Sequence, residues 1–339
     1  MSKTILIVTD NLPEQINGVV TTYKNIEAYA IRDNYRVVYI DPGRFRYVDC
    51  PGYNEVKITL TRKRTVGKIL EEINPDHIHI ATEGPVGLCV RQYLDKHNYR
   101  YNTAYHTKFP EGIRKLFGVP EALTWPLVRW FHKHSGKVLT TTDSMVEELQ
   151  AHGFDGELVS WTRGVDRDIF TPELRKELPN KSKYLLCVSR VSKEKNLEAF
   201  LELDYPNYQK IMVGDGPMLE TYKKQYPDVT FTGFKTGVDL ARYYANAEVF
   251  VFPSKWETFG IVMIEAMACG TPVAAYDCQG PKDVIDQGIT GFMVREDEGL
   301  KVAVDKCLTI DRRDVHRVSH RWSWQRAWEI FRNNLVTVK

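Results

Sequence analysis

The chain reads as an α/β protein of two doubly wound domains facing each other across a cleft. Three observations carry that expectation. Short, near-continuously apolar runs recur along its whole length, longer helical segments separate them, and 339 residues at 43% hydrophobic composition suffice for two cores. Strands that are apolar on both faces belong to a parallel sheet covered by helices.

In the first half the runs are "TILIVT" (4–9), "RVVYID" (36–41), "VKITL" (56–60), "HIHIA" (77–81), "TAYH" (103–106), "KVLTTT" (137–142) and "ELVSW" (157–161). The second half repeats the grammar with "YLLCVS" (184–189), "QKIMVG" (209–214), "VTFTG" (229–233), "EVFVFP" (248–253) and "PVAAYD" (272–277). The domains divide as 1–163 and 164–320. The polar segment "TPELRKELPNKSK" (171–183), with two prolines, suits a linker. "WSWQRAWEIFRNNLV" (322–336) reads as an amphipathic helix, and the C-terminal stretch 321–339 is expected to pack back on the first domain.

A net charge of +2 with 27% charged residues gives no global bias, so an anionic partner must meet a local patch. The six cysteines (Cys50, Cys89, Cys187, Cys269, Cys278, Cys307) form no C-x-x-C pair and sit mostly in apolar runs, as buried reduced thiols of a cytosolic protein would. The apolar start is too short and too β-branched for a signal peptide, and no stretch approaches the roughly 18 apolar residues of a membrane span. The expected location is cytoplasmic, at most peripheral on a membrane.

In doubly wound sheets, ligands bind beyond the carboxyl ends of the strands, and the informative residues lie there. "WETFGIVMIEAMACGTPVAAY" (256–276) sets Glu265 in an otherwise apolar helix that ends at Gly270, with Pro272 beyond. On a continuous helix Glu257 and Glu265 would lie about 80° and about 12 Å apart. With Glu257 in the loop before the helix, both line one elongated pocket. A carboxylate among apolar neighbours costs several kcal/mol unless partnered. A ribose diol fits that need, and so does a structural Arg or Lys.

"CVSRVSKEKNLEAFLEL" (187–203) is a strand, a basic loop and a helix opening near Asn196, so Arg190 and Lys195 flank a helix N-terminus that attracts anions. The bland reading is a solvated loop. "MVGDGPMLE" (212–220) brings Gly214 and Gly216 to a strand end without the third glycine of G-x-G-x-x-G, and no Walker A sequence occurs. Nicotinamide dehydrogenases and P-loop phosphoryl transferases are thereby set aside.

"SRVSKEKN", "VGDGP" and "ETFGIVMIEAMACGTPVAA", in this order, resemble the nucleotide-sugar half of retaining glycosyltransferases of family 4, and the likeness runs through nearly the whole chain. The resemblance implies the GT-B fold of two Rossmann-like domains and a nucleotide-diphospho-sugar donor, with no cofactor and no metal. It implies that Glu265 holds the ribose, and that Glu257 with the backbone of Thr258, Phe259 and Gly260 holds sugar hydroxyls. Arg190 and Lys195 would neutralise the diphosphate, Gly214 would approach the donor, and the backbone at Phe234 and Lys235 would meet the base. Gly18, in "NLPEQINGVVTTYKN", is a candidate donor contact or a mere tight turn. His106, in "YHTKFPEGIRKLF", is similar to the histidine these enzymes place beside the donor sugar.

"TEGP", "HTKFP" and "RGVDRDIF" bring the chain nearest the branch with mannosyltransferases and sulfolipid or glucolipid synthases. Glu83 and Lys108 are its acceptor-side candidates, and Lys108 stands where the family often has an acidic residue or arginine. Asp166-Arg167-Asp168 matches a metal-binding D-x-D only by chance of position. Segment 112–137 interleaves Arg114, Lys115, Arg129, Lys133 and Lys137 with Phe117, Trp125, Trp130 and Phe131. It reads first as two ordinary helices with aromatic core faces, with an anionic membrane or a nucleic-acid strand as alternative partners. The acceptor is accordingly a lipid, a glycan or a modified nucleic-acid base, and a non-catalytic binder that kept the fold is the competing class.

Overall fold

Parallel pairing of apolar strands builds both large sheets. The computed structural model describes residues 2–15, 17–50, 53–176 and 183–338, without the side chains of 50, 53–56 and 115–117. The side chains of Cys50, Lys115 and Phe117, and the linker's residues 177–182, thus fall outside it. The chain divides into two units, 1–163 with 324–339, and 164–323.

The first unit holds strands β1 (Lys3–Val8), β2 (Tyr35–Ile40), β3 (Arg46–Cys50), β4 (Tyr53–Leu60), β5 (His77–Ile80), β6 (Asn102–Tyr105), β7 (Val138–Thr140) and β8 (Leu158–Ser160). Its helices are α1 (Gly18–Arg32), α2 (Lys63–Ile73), α3 (Pro85–Lys96), α4 (Phe109–Phe117), α5 (Glu121–His132) and α6 (Asp143–Ala151). Six strands form one parallel sheet in the order β2-β1-β5-β6-β7-β8. Leu6, Val8, Ile78 and Ile80 project to the face covered by α2 and α3, where Val66, Leu70, Val86 and Val90 meet them.

The run 56–60 is not a member of that sheet. It is the end of β4, which pairs antiparallel with β3 as a separate ribbon. Its alternation explains why: Ile58 and Leu60 stay exposed while Thr59 is buried, so this strand has one covered face rather than two.

The second unit holds β9 (Tyr184–Val188), β10 (Gln209–Val213), β11 (Val229–Phe231), β12 (Val249–Phe252), β13 (Val273–Tyr276) and β14 (Gly291–Val294). They order as β11-β10-β9-β12-β13-β14, all parallel. Helices α7 (Glu198–Leu201), α8 (Leu219–Gln225), α9 (Gly237–Asn246), α10 (Ile261–Ala268), α11 (Pro281–Val284), α12 (Leu300–Cys307) and α13 (Arg312–Ser319) cover it. One core lies under α9 and α10 around Phe250, Tyr244, Met263 and Ile264, and the other under α7, α8 and α12 around Val249, Phe200, Tyr222 and Ala303.

The stretch 171–183 begins inside this unit. Leu174 packs on its core, and Arg175 donates to Glu248 at 2.9 Å, so these residues are anchored rather than spanning. Helix α14 (Trp324–Asn334) belongs to the first unit: Trp328 donates its indole N–H to Asp33 at 2.7 Å, and Ala327 accepts from Trp161 Nε1 at 2.8 Å. Cys187, Cys269 and Cys307 are buried free thiols, whereas Cys89 and Cys278 are only half-buried. Among the described residues no helix is long and apolar enough to cross a membrane.

Candidate active site

In the second unit the loops after β9, β10, β11 and β12 leave the carboxyl ends of adjacent strands. The first two are stitched together: Val191 N–H donates to Asp215 O at 2.8 Å and Met218 N–H to Val191 O at 3.0 Å. Crossing that closely requires glycine. A Cβ on Gly214 would lie 1.9 Å from Ser189 O, and one on Gly216 2.5 Å from Val191 O. The bare backbone of Gly214 is thus what lets the strand-end loops after β9 and β10 cross. Gly214→Ala combines that clash with a φ of +143° and should cost about 3 kcal/mol, read as a lowered urea midpoint.

The basic loop departs from expectation in one respect. Residues Lys193–Lys195 form a single 3-10 turn, Asn196 is left-handed at φ 53°, and α7 that follows is only one turn long. No helix dipole of consequence faces an anion here. The positive field comes from the side chains: Arg190 is exposed, and Lys195 Nζ lies 3.1 Å from Glu257 Oε2.

Glu257 sits in the loop after β12, ahead of α10. Its Oε1 accepts from Thr258 N–H at 3.1 Å, which fixes the carboxylate against its own loop. Phe259 is buried, its ring edge-on to Trp322 at 5.4 Å. Gly260 is left-handed at φ 82° and opens α10, swinging the chain from Glu257 into the helix. Phe234 and Lys235 follow β11, with the Phe234 ring exposed.

Glu265 is on α10, half-buried among Met263, Ile264, Ala266 and Met267. Its Oε2 accepts from Tyr244 Oη at 3.0 Å. No described Lys or Arg pairs with it. Burial pushes the carboxyl up to about 7, against the opposing pull of the Tyr244 hydrogen bond. The structural ion pair is thereby excluded among the described residues, and a carboxylate with spare acceptor capacity remains. Tyr244 went unread in the sequence, since nothing in "ARYYANAEVF" distinguishes it from core.

In the first unit His106 is also at a strand end, just after β6, and is buried. Its neighbours fix its chemistry. Arg163, which has only N–H donors, lies with NH2 2.9 Å from His106 Nδ1, so Nδ1 accepts. Nε2 then carries the proton and donates to Tyr23 Oη at 2.8 Å, and Tyr23 donates to His79 Nε2 at 2.7 Å. The chain ends at His79 Nδ1, a buried N–H with no hydrogen-bond partner among the described residues. Burial and the Arg163 charge hold His106 well below its usual range, and His79 at about 3. With both ring nitrogens engaged, the His106 ring is held neutral and in one orientation. Arg163, Tyr23 and His79 were missed; Arg163, directly ahead of "GVD" after a strand, was the one visible signal.

Gly18 is the exposed first residue of α1, and the Val19 and Val20 N–H groups are already capped by Asn17 at 3.0 Å. The structure thus gives that turn an internal cap. Lys108 pairs with Glu148 at 3.1 Å and Glu111 at 3.6 Å, which occupies the cation expected to meet an acceptor. Glu83 lies in the loop after β5, steadied by Asp10. Asp10 accepts from Val86 N–H and Thr82 Oγ1, both at 2.7 Å, and burial pushes its carboxyl up to about 6.

The basic aromatic segment is divided. Trp125, Val128 and Phe131 face the core, whereas Leu123, Leu127 and Trp130 are exposed. Arg114 pairs with Glu121, Lys137 with Glu157, and Arg129 donates to His152 O, so its cations are largely engaged within the unit. In the D-x-D stretch Asp166 accepts from Asp168 N–H at 3.0 Å while Arg167 donates to Ser319 O. Among the described residues no group of three His, Cys, Asp or Glu side chains gathers as metal ligands do.

Two family profiles match in tandem, Glycosyltransferase Family 4 over residues 16–169 and Glycosyl transferases group 1 over 170–321. The chain belongs to the family-4 type of GT-B glycosyltransferases. It is 28% identical to a GDP-mannose-dependent alpha-mannosyltransferase of Mycolicibacterium smegmatis, over 98% of this chain and 96% of that one. It is 29% identical to the sulfoquinovosyl transferase of Arabidopsis thaliana over 80% of this chain, but spans only 56% of that relative's length. Among solved structures, sucrose-phosphate synthase from Thermosynechococcus elongatus superposes at TM-score 0.78 with 19% identity, covering 98% of both chains, a likeness in fold. This glycosyltransferase therefore carries the two Rossmann-like domains of its family.

Proposed function

We propose that this glycosyltransferase moves a sugar from a nucleotide-diphospho-sugar to an acceptor hydroxyl, with retention at the anomeric carbon and without a divalent metal. The observation that carries the donor assignment is Glu265: a carboxylate that, among the described residues, is hydrogen-bonded by Tyr244 Oη alone, with apolar side chains around it on α10 of the second unit. A ribose diol supplies two O–H donors to such a group. Glu257, held by Lys195, stands ready for sugar hydroxyls, and Arg190 with Lys195 supplies charge for the diphosphate.

The chemistry follows from where charge develops. The bond from the anomeric carbon to the diphosphate oxygen breaks, the sugar becomes oxocarbenium-like, and the acceptor oxygen bonds from the same face. Its proton passes to a phosphate oxygen, so no enzymic nucleophile is needed. Fixed cations at the phosphate act more strongly on the departing dianion than on the ground state, and this differential lowers the barrier. Two side-chain cations take the place a metal holds in other transferases, which supports the metal-free reading. The second unit holds the donor and the first unit takes the acceptor.

A thermal-shift screen with UDP, GDP, ADP and their sugar conjugates tests this. A ligand at 100 times its dissociation constant should stabilise the protein by about 2.7 kcal/mol. Glu265→Ala should abolish the shift while the empty protein still melts cooperatively. If no nucleotide raises the midpoint, or Glu265→Ala shifts as the wild type does, the donor assignment is wrong.

A further inference from the structure

We infer that His316 and His320 bind a zinc ion at the C-terminal end of α13, a site apart from the glycosyl-transfer machinery and independent of the donor assignment. The stretch "HRVSH" sets the two histidines at i and i+4, so their side chains share one face of the helix, the spacing by which helical histidine pairs hold zinc. His320 directly follows the last residue of α13 and keeps its helical backbone, with φ −61°.

The fold sets the tautomer of the first ligand. His316 Nδ1 lies 2.7 Å from Ala268 O, and a carbonyl can only accept, so Nδ1 carries the ring proton. Nε2 of the neutral ring is then a lone pair, and it faces His320. A bond from the far nitrogen to a backbone carbonyl is what orients metal-binding imidazoles and raises their basicity. His320 is exposed, so its own Nδ1 can donate to water and leave Nε2 to the ion.

The spacing of the two nitrogens selects the metal. His316 Nε2 and His320 Nε2 are 3.4 Å apart. Zinc–nitrogen bonds of about 2.0–2.1 Å meeting at the tetrahedral angle put two ligand nitrogens about 3.3–3.4 Å apart, whereas the right angle of a tetragonal copper site needs about 2.9 Å. The pair therefore stands at the zinc spacing already. As a hydrogen bond the contact is poor, since N–H donors usually reach their acceptors at about 2.7–3.2 Å. The rings are nearly perpendicular, at 80°, with centroids 5.0 Å apart, closer than a straight N–H···N bond of that length would place them. Two nitrogens converging on a third point approach in this bent way.

No third protein ligand joins them among the described residues. Asp314, on the same helix, pairs with Arg317 at 2.8 Å, and Arg167, the cation beside His320, donates to Ser319 O and Oγ. Two positions on the ion are left to water, so zinc here exchanges with the free ion rather than holding the fold outright. Its effect runs through Ala268. That residue ends α10, about 12 Å along the helix from Gly260, which opens it beside Glu257. An ion on His316 Nε2 polarises the Nδ1–H and strengthens the bond to Ala268 O, so zinc tightens the hold of α13 on α10 without entering the reaction.

Titration calorimetry of the untagged full chain with zinc chloride tests the assignment, with magnesium chloride as the control. His320→Ala should weaken zinc binding tenfold or more. His316→Ala, which also cuts the bond to Ala268, should do no less. Magnesium, which takes oxygen ligands, should not bind the pair. His320 is exposed, so His320→Ala keeps the fold, which circular dichroism checks. The cysteines are common to all three proteins, so the difference between titrations reports on the histidines. Zinc should also raise the melting midpoint of the wild type and leave that of His320→Ala in place. Zinc affinity unchanged in His320→Ala, a midpoint shift of equal size in both proteins, or magnesium binding as tight as zinc binding overturns the proposal.

Discussion

Arg190→Ala is expected to lower turnover by roughly 10²- to 10³-fold, the loss associated with one transition-state donor, while the melting midpoint of the empty enzyme stays within a degree or two. The fold should tolerate the change because Arg190 is exposed and follows β9 in a loop anchored by backbone bonds, Ser189 N–H to Val213 O and Val191 N–H to Asp215 O. Lys195 cannot compensate fully, since its charge is shared with Glu257 at 3.1 Å. The loss should fall on kcat more than on KM, because the diphosphate gains charge only as the glycosidic bond breaks. Arg190→Lys should recover part of the rate, keeping the charge without the planar fork. An Arg190→Ala enzyme with unchanged kcat would remove the cationic stabilisation from the mechanism.

What was readable in the sequence follows from which forces act locally. Strands apolar on both faces announce a buried parallel sheet, so β1, β5, β9, β10, β12 and β13 were visible as runs. Val56–Leu60 misled because a β-branched run looks alike in a sheet and in a ribbon; only the pairing partner, β3, decides, and that partner is a tertiary fact. Strand β14 passed unread because it opens on Gly291 and leaves Phe292 and Met293 only half-buried, so it lacks the continuous buried run of the other four-residue strands. Glu265 was legible since a carboxylate in an all-apolar helix contradicts its surroundings, but its partner Tyr244 was not, being one aromatic among many. The His106 cluster shows the same limit: the histidine lies in a motif, whereas Arg163, Tyr23 and His79, which set its protons, reach it from sequence separations of 57, 83 and, through Tyr23, 56 residues.

Affinity for a nucleotide-sugar should rise about tenfold between pH 6 and pH 8, and Glu265→Gln should flatten the profile. Burial raises this carboxyl from its ordinary 4.5 to about 7. A folded value above the unfolded one means the empty enzyme loses stability as pH climbs from about 4.5 to about 7, where folding opposes ionisation. A ribose diol donates two O–H bonds and favours the ionised form, so the ligand drives the proton off. With a pKa of about 7, roughly a tenth of the protein is competent at pH 6 and nine-tenths at pH 8. Binding at pH 7 should therefore release about half a proton, visible as a dependence of the calorimetric enthalpy on the ionisation heat of the buffer. The diphosphate diester of a nucleotide-sugar titrates nowhere near this range, which makes it a cleaner probe than the free diphosphate. A slope that survives in Glu265→Gln would assign the titration to another group, and a flat wild-type profile would mean that the ribose does not rest on this carboxylate.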